Sequence, residues 1–476
     1  MKRAMLVAVV LCSVWISVGS HAVADPVSYF RRDNGVAAGD SNPLPDRFDS
    51  KEQLIWRQSL LPGHSTPCVS GDSIFLTTFD EEKKQLATAA IDRATGKVRW
   101  QRVAPAKEIE PQHLVGSPAS CSAACDGKRV YVSFGSYGVL CYDLDGKLLW
   151  SKPMGPFQDE FGTNSSPILV DDKVIMNQDH DVDCFLIAVD QKTGRTLWKT
   201  PREGFTRSYS TPIVWNANGV KQVIVAGSLE LAAYDVEKGQ KVWWVRGLSR
   251  IVDPTPVMAN GLLYLATWTP GGDPSDRIAM EPFSEATEQY DKNGDGKIAK
   301  SELPEGPVLL RFFRIDLNQD GALDATEWAK HARVFDLAQN VALAVRPGGK
   351  GDVTDSHVEW IYRRGLPVVP SSVVYDGVLF MVKNSGIITS VDAKTGKLLK
   401  QARAAGRGNY YASLVAGDGK VYLASEGGVV TVLKAGRDWE ILSHHDFGER
   451  IMATPVVADG RIYLRTDDAL YCFEKR

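Results

Sequence analysis

Past residue 24 the chain has no apolar run long enough to cross a bilayer, which takes about 20 consecutive apolar residues. It also lacks a surplus of basic charge. With residues 1–24 set aside, 53 Lys and Arg stand against 58 Asp and Glu, and residues 281–330 alone hold eleven acidic and six basic side chains. The remainder is close to neutral, which argues against nucleic acid as a partner and leaves no basic face for a membrane surface. No glycine-rich phosphate loop, Gly-x-Ser-x-Gly elbow or His-Glu-x-x-His pair occurs, so the chemistries those motifs carry have no foothold. Cysteine is sparse: beyond Cys12 there are Cys68, Cys121, Cys125, Cys141, Cys184 and Cys472. Zinc would want two close pairs or added histidines, and only Cys121 and Cys125 are close. These six are expected as disulfides, with fifteen pairings open, or as buried thiols.

Residues 1–24 start Met1-Lys2-Arg3, run apolar from Ala4 to Val18 and end Ala22-Val23-Ala24. That is the pattern of a cleaved secretory signal, and it places the protein in the periplasm or outside the cell. A lead segment, residues 25–50, follows it.

The body of the chain repeats. An acidic residue, a Gly and a Trp four positions beyond the Gly recur as Asp92/Gly96/Trp100, Asp143/Gly146/Trp150, Asp190/Gly194/Trp198 and Asp235/Gly239/Trp243. A fixed period of this length marks a radial or stacked repeat architecture. Asx-Gly turns precede β-branched runs at Asp126-Gly127, Asn260-Gly261, Asp376-Gly377 and Asp459-Gly460, the strongest short-range hairpin signal. Each unit reads as a four-stranded antiparallel meander. Radial stacking would cover the faces of such sheets and leave short edges. Starts near Thr66, Ser117, Ser166, Thr211, Thr255, Ser371, Ser413 and Thr454 give eight units. The last runs out of chain at Tyr471-Cys472-Phe473, while a stray strand around Leu54-Ile55-Trp56 precedes the first. The expected fold is therefore an all-β, eight-bladed propeller closed by its N-terminal strand. The tryptophans are expected to fill the wedges between blades, although Lys400 takes that place in a later unit and Trp439 lies in the next.

The run Ala188-Val189-Asp190-Gln191-Lys192-Thr193-Gly194-Arg195-Thr196-Leu197-Trp198, with its weaker copies, resembles the repeat of the pyrroloquinoline quinone (PQQ)-like eight-bladed propellers. That superfamily includes quinoprotein alcohol dehydrogenases and the non-enzymatic propeller subunit of the outer-membrane β-barrel assembly machinery. The resemblance implies propeller arcs over residues 51–270 and 339–476.

Between the second and third strands of the fifth unit the pattern lapses over residues 271–338. There, Asp291, Asn293, Asp295, Gly296, Ile298 and Glu302 occupy positions 1, 3, 5, 6, 8 and 12 of the twelve-residue calcium loop. Asp316, Asn318, Asp320, Gly321, Leu323 and Glu327 repeat the spacing, and Asp324 adds an oxygen ligand at position 9. Backbone carbonyls of Lys297 and Ala322 would supply position 7. Such hard oxygens suit Ca²⁺, and the segment resembles an EF-hand pair bridged by Ile298 and Leu323. Val308, Leu309, Phe312 and Ile315 share one face of an entering helix, and Trp328 and Val334 follow the second loop. The short linker fits a fixed pair better than a switch.

Residues entering each first strand should face the axis: His64, Asn164, Arg207, Tyr209, Arg250, Asp253, Tyr410 and Arg450. Of these, Asn164, Arg207, Arg250, Asp253 and Arg450 are candidates for a polar-ligand or anion site. Asp179-His180-Asp181 and Asp183 read as a loop turn. A PQQ enzyme would be expected to carry an adjacent-cysteine disulfide on the quinone, and this sequence has no Cys-Cys pair. PQQ is therefore not expected. The expected function is a monomeric, calcium-binding platform for protein partners without catalytic residues; the alternative is a PQQ-dependent oxidoreductase for an alcohol or sugar.

Overall fold

The computed structural model describes residues 28–37, 42–48, 52–217, 219–276 and 280–475, so the expected signal lies outside the described residues. Eight antiparallel sheets follow one another along the chain and close into a ring. Ring closure is as the sequence predicts: Leu54–Ser59 pairs with Ala469–Glu474 as the outermost strand of blade eight. Blade four departs from the expected four strands, because Gly351–Asp352 adds in parallel beyond Lys241–Arg246. Blade two departs in register. Its first strand is Ala124–Cys125, and the residue matching the other starts is Ser122, not Ser117.

Two repeated contacts explain why these residues build a ring. In the first, the indole of one blade lies under the turn glycine of the next. A Cβ on Gly96 would fall 2.6 Å from the Trp56 ring, on Gly146 2.6 Å from Trp100, and on Gly396 2.6 Å from Trp360. Each glycine also has positive φ, so two independent demands select it. The indole N–H groups then donate across the blade boundary to backbone carbonyls: Trp56 to Arg93, Trp100 to Leu144, Trp150 to Gln191, Trp198 to Val236 and Trp360 to Ala393. Where the repeat decays the contact is replaced. Trp243 donates within its own blade to Gln222. Lys400 stands where blade six lacks its indole, and Trp439 of blade seven fills that gap from the other side, donating to Ser390.

In the second contact, the hydroxyl at the start of each blade from the second to the eighth accepts the backbone N–H of the matching residue in the blade before. The links run Thr66→Ser122→Ser166→Thr211→Thr255→Ser371→Ser413→Thr454, each N–H to the next oxygen at 2.9–3.3 Å. This girdle satisfies amides that face the axis with no strand partner.

The lead segment crosses the ring at the inner hairpin turns. Ser28 bridges Cys125, Val36 bridges Ala416, and the amide of Leu44 donates to Asp418. Buried Arg31 donates to the carbonyls of Leu414 and Ser372. All six cysteines among the described residues are free thiols, five of them buried.

The insertion leaves blade five between Leu262–Thr267 and Val341–Val345, as predicted. It holds helices α1 (Phe283–Tyr290), α2 (Pro307–Leu310), α3 (Phe312–Ile315) and α4 (Ala325–Leu337). The single entering helix expected over 308–315 is instead split into α2 and α3 at Arg311. Ala286, Ile298, Leu303, Phe312, Ile315, Leu323 and Trp328 form the module's core. Val334 belongs elsewhere, packing with Leu229 and Ala338 against the propeller.

Candidate functional site: EF-hand loops and an axial cavity

The two loops share one geometry. Ile298 pairs with Leu323 and Ala299 with Ala322 in a short antiparallel bridge. Gly296 and Gly321 take φ of 80° and 87° at the sharp turn, where a side chain would be strained. In the first loop Asp291 accepts the N–H groups of Gly294 and Gly296, Asp295 that of Lys297, and Glu302 those of Lys292, Asn293 and Ala299. In the second, Asp316 accepts from Asp320 and Gly321, Asp320 from Ala322, and Glu327 from Leu317, Asn318 and Asp324. Asp324 and Glu327 also form the capping box of α4, so the second loop's last turn and the helix fix each other. Among the described residues the acidic side chains serve these amides, and no three His, Cys, Asp or Glu groups converge as a ligand set. The spacing, glycines and oxygen chemistry fit Ca²⁺. The Lys297 ammonium reaches across to Asp320 at 2.6 Å, holding that carboxylate below its usual range.

A cavity of about 370 Å³ lies on the ring axis. Its wall is the hydroxyl girdle, Phe30 of the lead segment lies on one side, and Arg314 of the insertion lines it as well. His64, Asn164, Tyr209, Arg250 and Asp253 line it. Arg207 does not: it is tied to Glu160 and Asp181 and lines an adjoining small pocket. Arg450 is held by Glu426 and Asp467. Tyr410 is fully buried inside its blade, and Tyr411 takes its place. These three are corrections with two causes: carboxylates claim Arg207 and Arg450, and strand register turns Tyr410 into its blade. Asp179 is consumed by a bidentate pair with Arg202 at 2.7 and 2.9 Å, and His180 by Asp159 and Gln178.

Burial sets the electrostatics of the cavity. It pushes the Asp253 carboxyl up to about 7, helped by the charge of Asp159. Burial and then Arg207 and Arg314 bring Arg250 down to about 10. Burial and then Arg450 and Arg465 hold His64 at about 3.

The sequence did not place Arg314 at the axis. It lies in the linker between the two EF-hand loops, and the module docks on the propeller where Gln158 donates to the Leu317 carbonyl of the second loop and Arg333 of α4 donates to that of Gly204. Nothing in the linker's spacing marks that docking.

A family model described as outer membrane protein assembly factor BamB matches residues 46–279 and 350–476. The chain belongs to that family. The unmatched stretch of the BamB-type ring is the insertion, where an EF-hand family model fits residues 288–304 and 311–330. The outer membrane protein assembly factor BamB of Yersinia pestis is 24% identical over 442 residues, which cover 87% of this chain and 97% of that protein. The crystal structure of BamB from Moraxella catarrhalis aligns with a TM-score of 0.54 at 12% identity, over 88% of this chain and all of that one. A europium-containing methanol dehydrogenase aligns at 0.57 and 12% identity, over 95% and 98%. At such identities the solved structures speak for the fold alone.

Proposed function

We propose that this member of the BamB family is an exported, calcium-binding propeller that serves as a protein-binding platform in the cell envelope, acting as a monomer and without catalysis. The family match over both arcs of the ring carries this reading. Calcium would be held by Asp291, Asn293, Asp295, the Lys297 carbonyl and Glu302 in one loop. Asp316, Asn318, Asp320, the Ala322 carbonyl, Asp324 and Glu327 would hold it in the other, and the added carboxylate at Asp324 makes the second the tighter site. Exported modules bind calcium at about 10⁻⁴–10⁻³ M, so both loops would follow external calcium. Leu310 and Phe313, 79% and 58% exposed on the module, offer apolar side chains to a protein partner.

Cross-linking of the intact chain in cells, followed by purification from the envelope fraction, tests this. An envelope protein whose capture falls with Phe313→Ser and Leu310→Ser is the expected result. Recovery of the chain from the cytoplasm alone would overturn it.

The methanol dehydrogenase likeness and the axial cavity favour one alternative, a PQQ-dependent oxidoreductase acting on an alcohol or sugar. The residues do not fit the quinone well. Of the three arginines offered for an anion site, Arg207 and Arg450 are spent in ion pairs and so are not free for the quinone's carboxylates, and the sequence has no adjacent cysteines to stack on it. A quinone absorbance that stays with the protein after incubation with PQQ and calcium, and that reduces a dye with an alcohol, would reinstate the alternative.

A further inference from the structure

We propose that the axial cavity binds a small hydroxylated carboxylate, a sugar acid, with Arg250 of the propeller and Arg314 of the calcium module taking the carboxylate.

The girdle hydroxyls line this cavity. From Ser122 to Thr454 each oxygen accepts a neighbour's amide, and none of their protons has an acceptor among the described residues. A ring of unspent O–H donors calls for a ligand rich in oxygen acceptors. Arg250 forms no ion pair or side-chain hydrogen bond among the described residues, and neither does Asp253 three residues on. Arg314 lines the cavity beside Arg250 and also lacks an ion pair or side-chain hydrogen bond among the described residues, its guanidinium lying 5.1 Å over the Phe313 ring. Behind them, in the small pocket that both arginines also line, the buried His331 has an Nε2 without a partner, as has Nη1 of neighbouring Arg311. A carboxylate offers planar guanidinium groups a matched acceptor. Glu160, the other acid on the wall, is already claimed by Arg207, which leaves Asp253 to meet a ligand hydroxyl. Phe161 and Tyr209, in edge contact at 6.1 Å, present ring surface to the apolar face of a sugar. Phe30 on one side and Arg314 on another limit the space to a monosaccharide, not a chain. The site is composite: the propeller supplies the hydroxyls and one cation, the insertion the other.

The test is calorimetric titration of the calcium-loaded mature chain with D-glucuronate, D-glucose and succinate. Glucuronate is expected to bind at least about tenfold more tightly than either, since glucose lacks the charge and succinate the hydroxyls. Arg250→Gln and Arg314→Gln are each expected to weaken glucuronate about tenfold, with Arg314→Lys recovering part of the loss and the surface variant Arg437→Gln changing nothing. Unchanged melting curves in the arginine variants separate lost contacts from lost fold. No saturable glucuronate binding below about 10 mM would overturn the proposal. So would succinate binding as tightly as glucuronate, or folded arginine variants that bind glucuronate as the parent does.

Discussion

Gly194→Ala probes the joint that makes the ring. Gly194 has φ +69°, and a Cβ there would lie 2.5 Å from a Trp150 ring carbon. Two costs follow. A non-glycine residue in the left-handed region costs about 1–2 kcal/mol, and forcing a packed indole aside costs about 1–3 kcal/mol more, for roughly 2–5 kcal/mol in all. Gly261→Ala separates them: Gly261 has φ +78° but nothing within 4 Å of a Cβ, so only the first cost applies. Urea denaturation of both variants, read as unfolding free energies, should show Gly194→Ala the worse by about 1–3 kcal/mol. In a Trp150→Ala background the excess should vanish, because the added methyl then meets open space. Equal losses for the two glycine variants, or an excess that survives removal of the indole, would refute the packing argument.

Thr211→Val removes the oxygen that accepts the Ser166 N–H at 3.0 Å; stranding that buried amide should cost about 1–3 kcal/mol in denaturant titrations, while Thr211→Ser should cost far less. Glu110 is buried, accepts the N–H of Thr163, and is pushed up to about 7 chiefly by burial. A carboxyl with a raised folded pKa favours folding while protonated, so its contribution is lost as pH rises from about 4.5 to 7. Melting curves across that window should show a downward slope in the parent that Glu110→Gln makes shallower, Asp253 keeping part of it; identical slopes would contradict the assignment. Trp150→Phe keeps most of the packing but loses the bond to the Gln191 carbonyl, and its cost should stay near 1 kcal/mol.

The eight-bladed ring was legible because its joint writes a two-residue signature: the glycine that must yield space and the indole that fills it recur at fixed spacing. The EF-hand pair was legible for a similar reason, since its motif is local in sequence. What sequence left unread depends on register and on distant partners. Ser117-Pro118 looks like a blade start, yet the girdle uses Ser122. Arg207 and Arg450 sit at axial positions in the repeat, but Glu160, Asp181 and Glu426 claim them. Arg314 reaches the cavity only because α4 and the linker dock on blades three and four, and Phe30 only because the lead segment crosses the inner turns. Counting repeats foretold the distant pairing of Leu54–Ser59 with Ala469–Glu474, but the docking of segments outside the repeat leaves no such spacing.

Calcium titration of residues 25–476, followed by calorimetry and by tryptophan fluorescence with Trp328→Phe as the control for the indole beside the second loop, tests the central claim most directly. Two binding events are expected, the tighter one abolished by Glu327→Gln and the weaker by Glu302→Gln. Absence of both heat and fluorescence change at millimolar calcium would contradict the account.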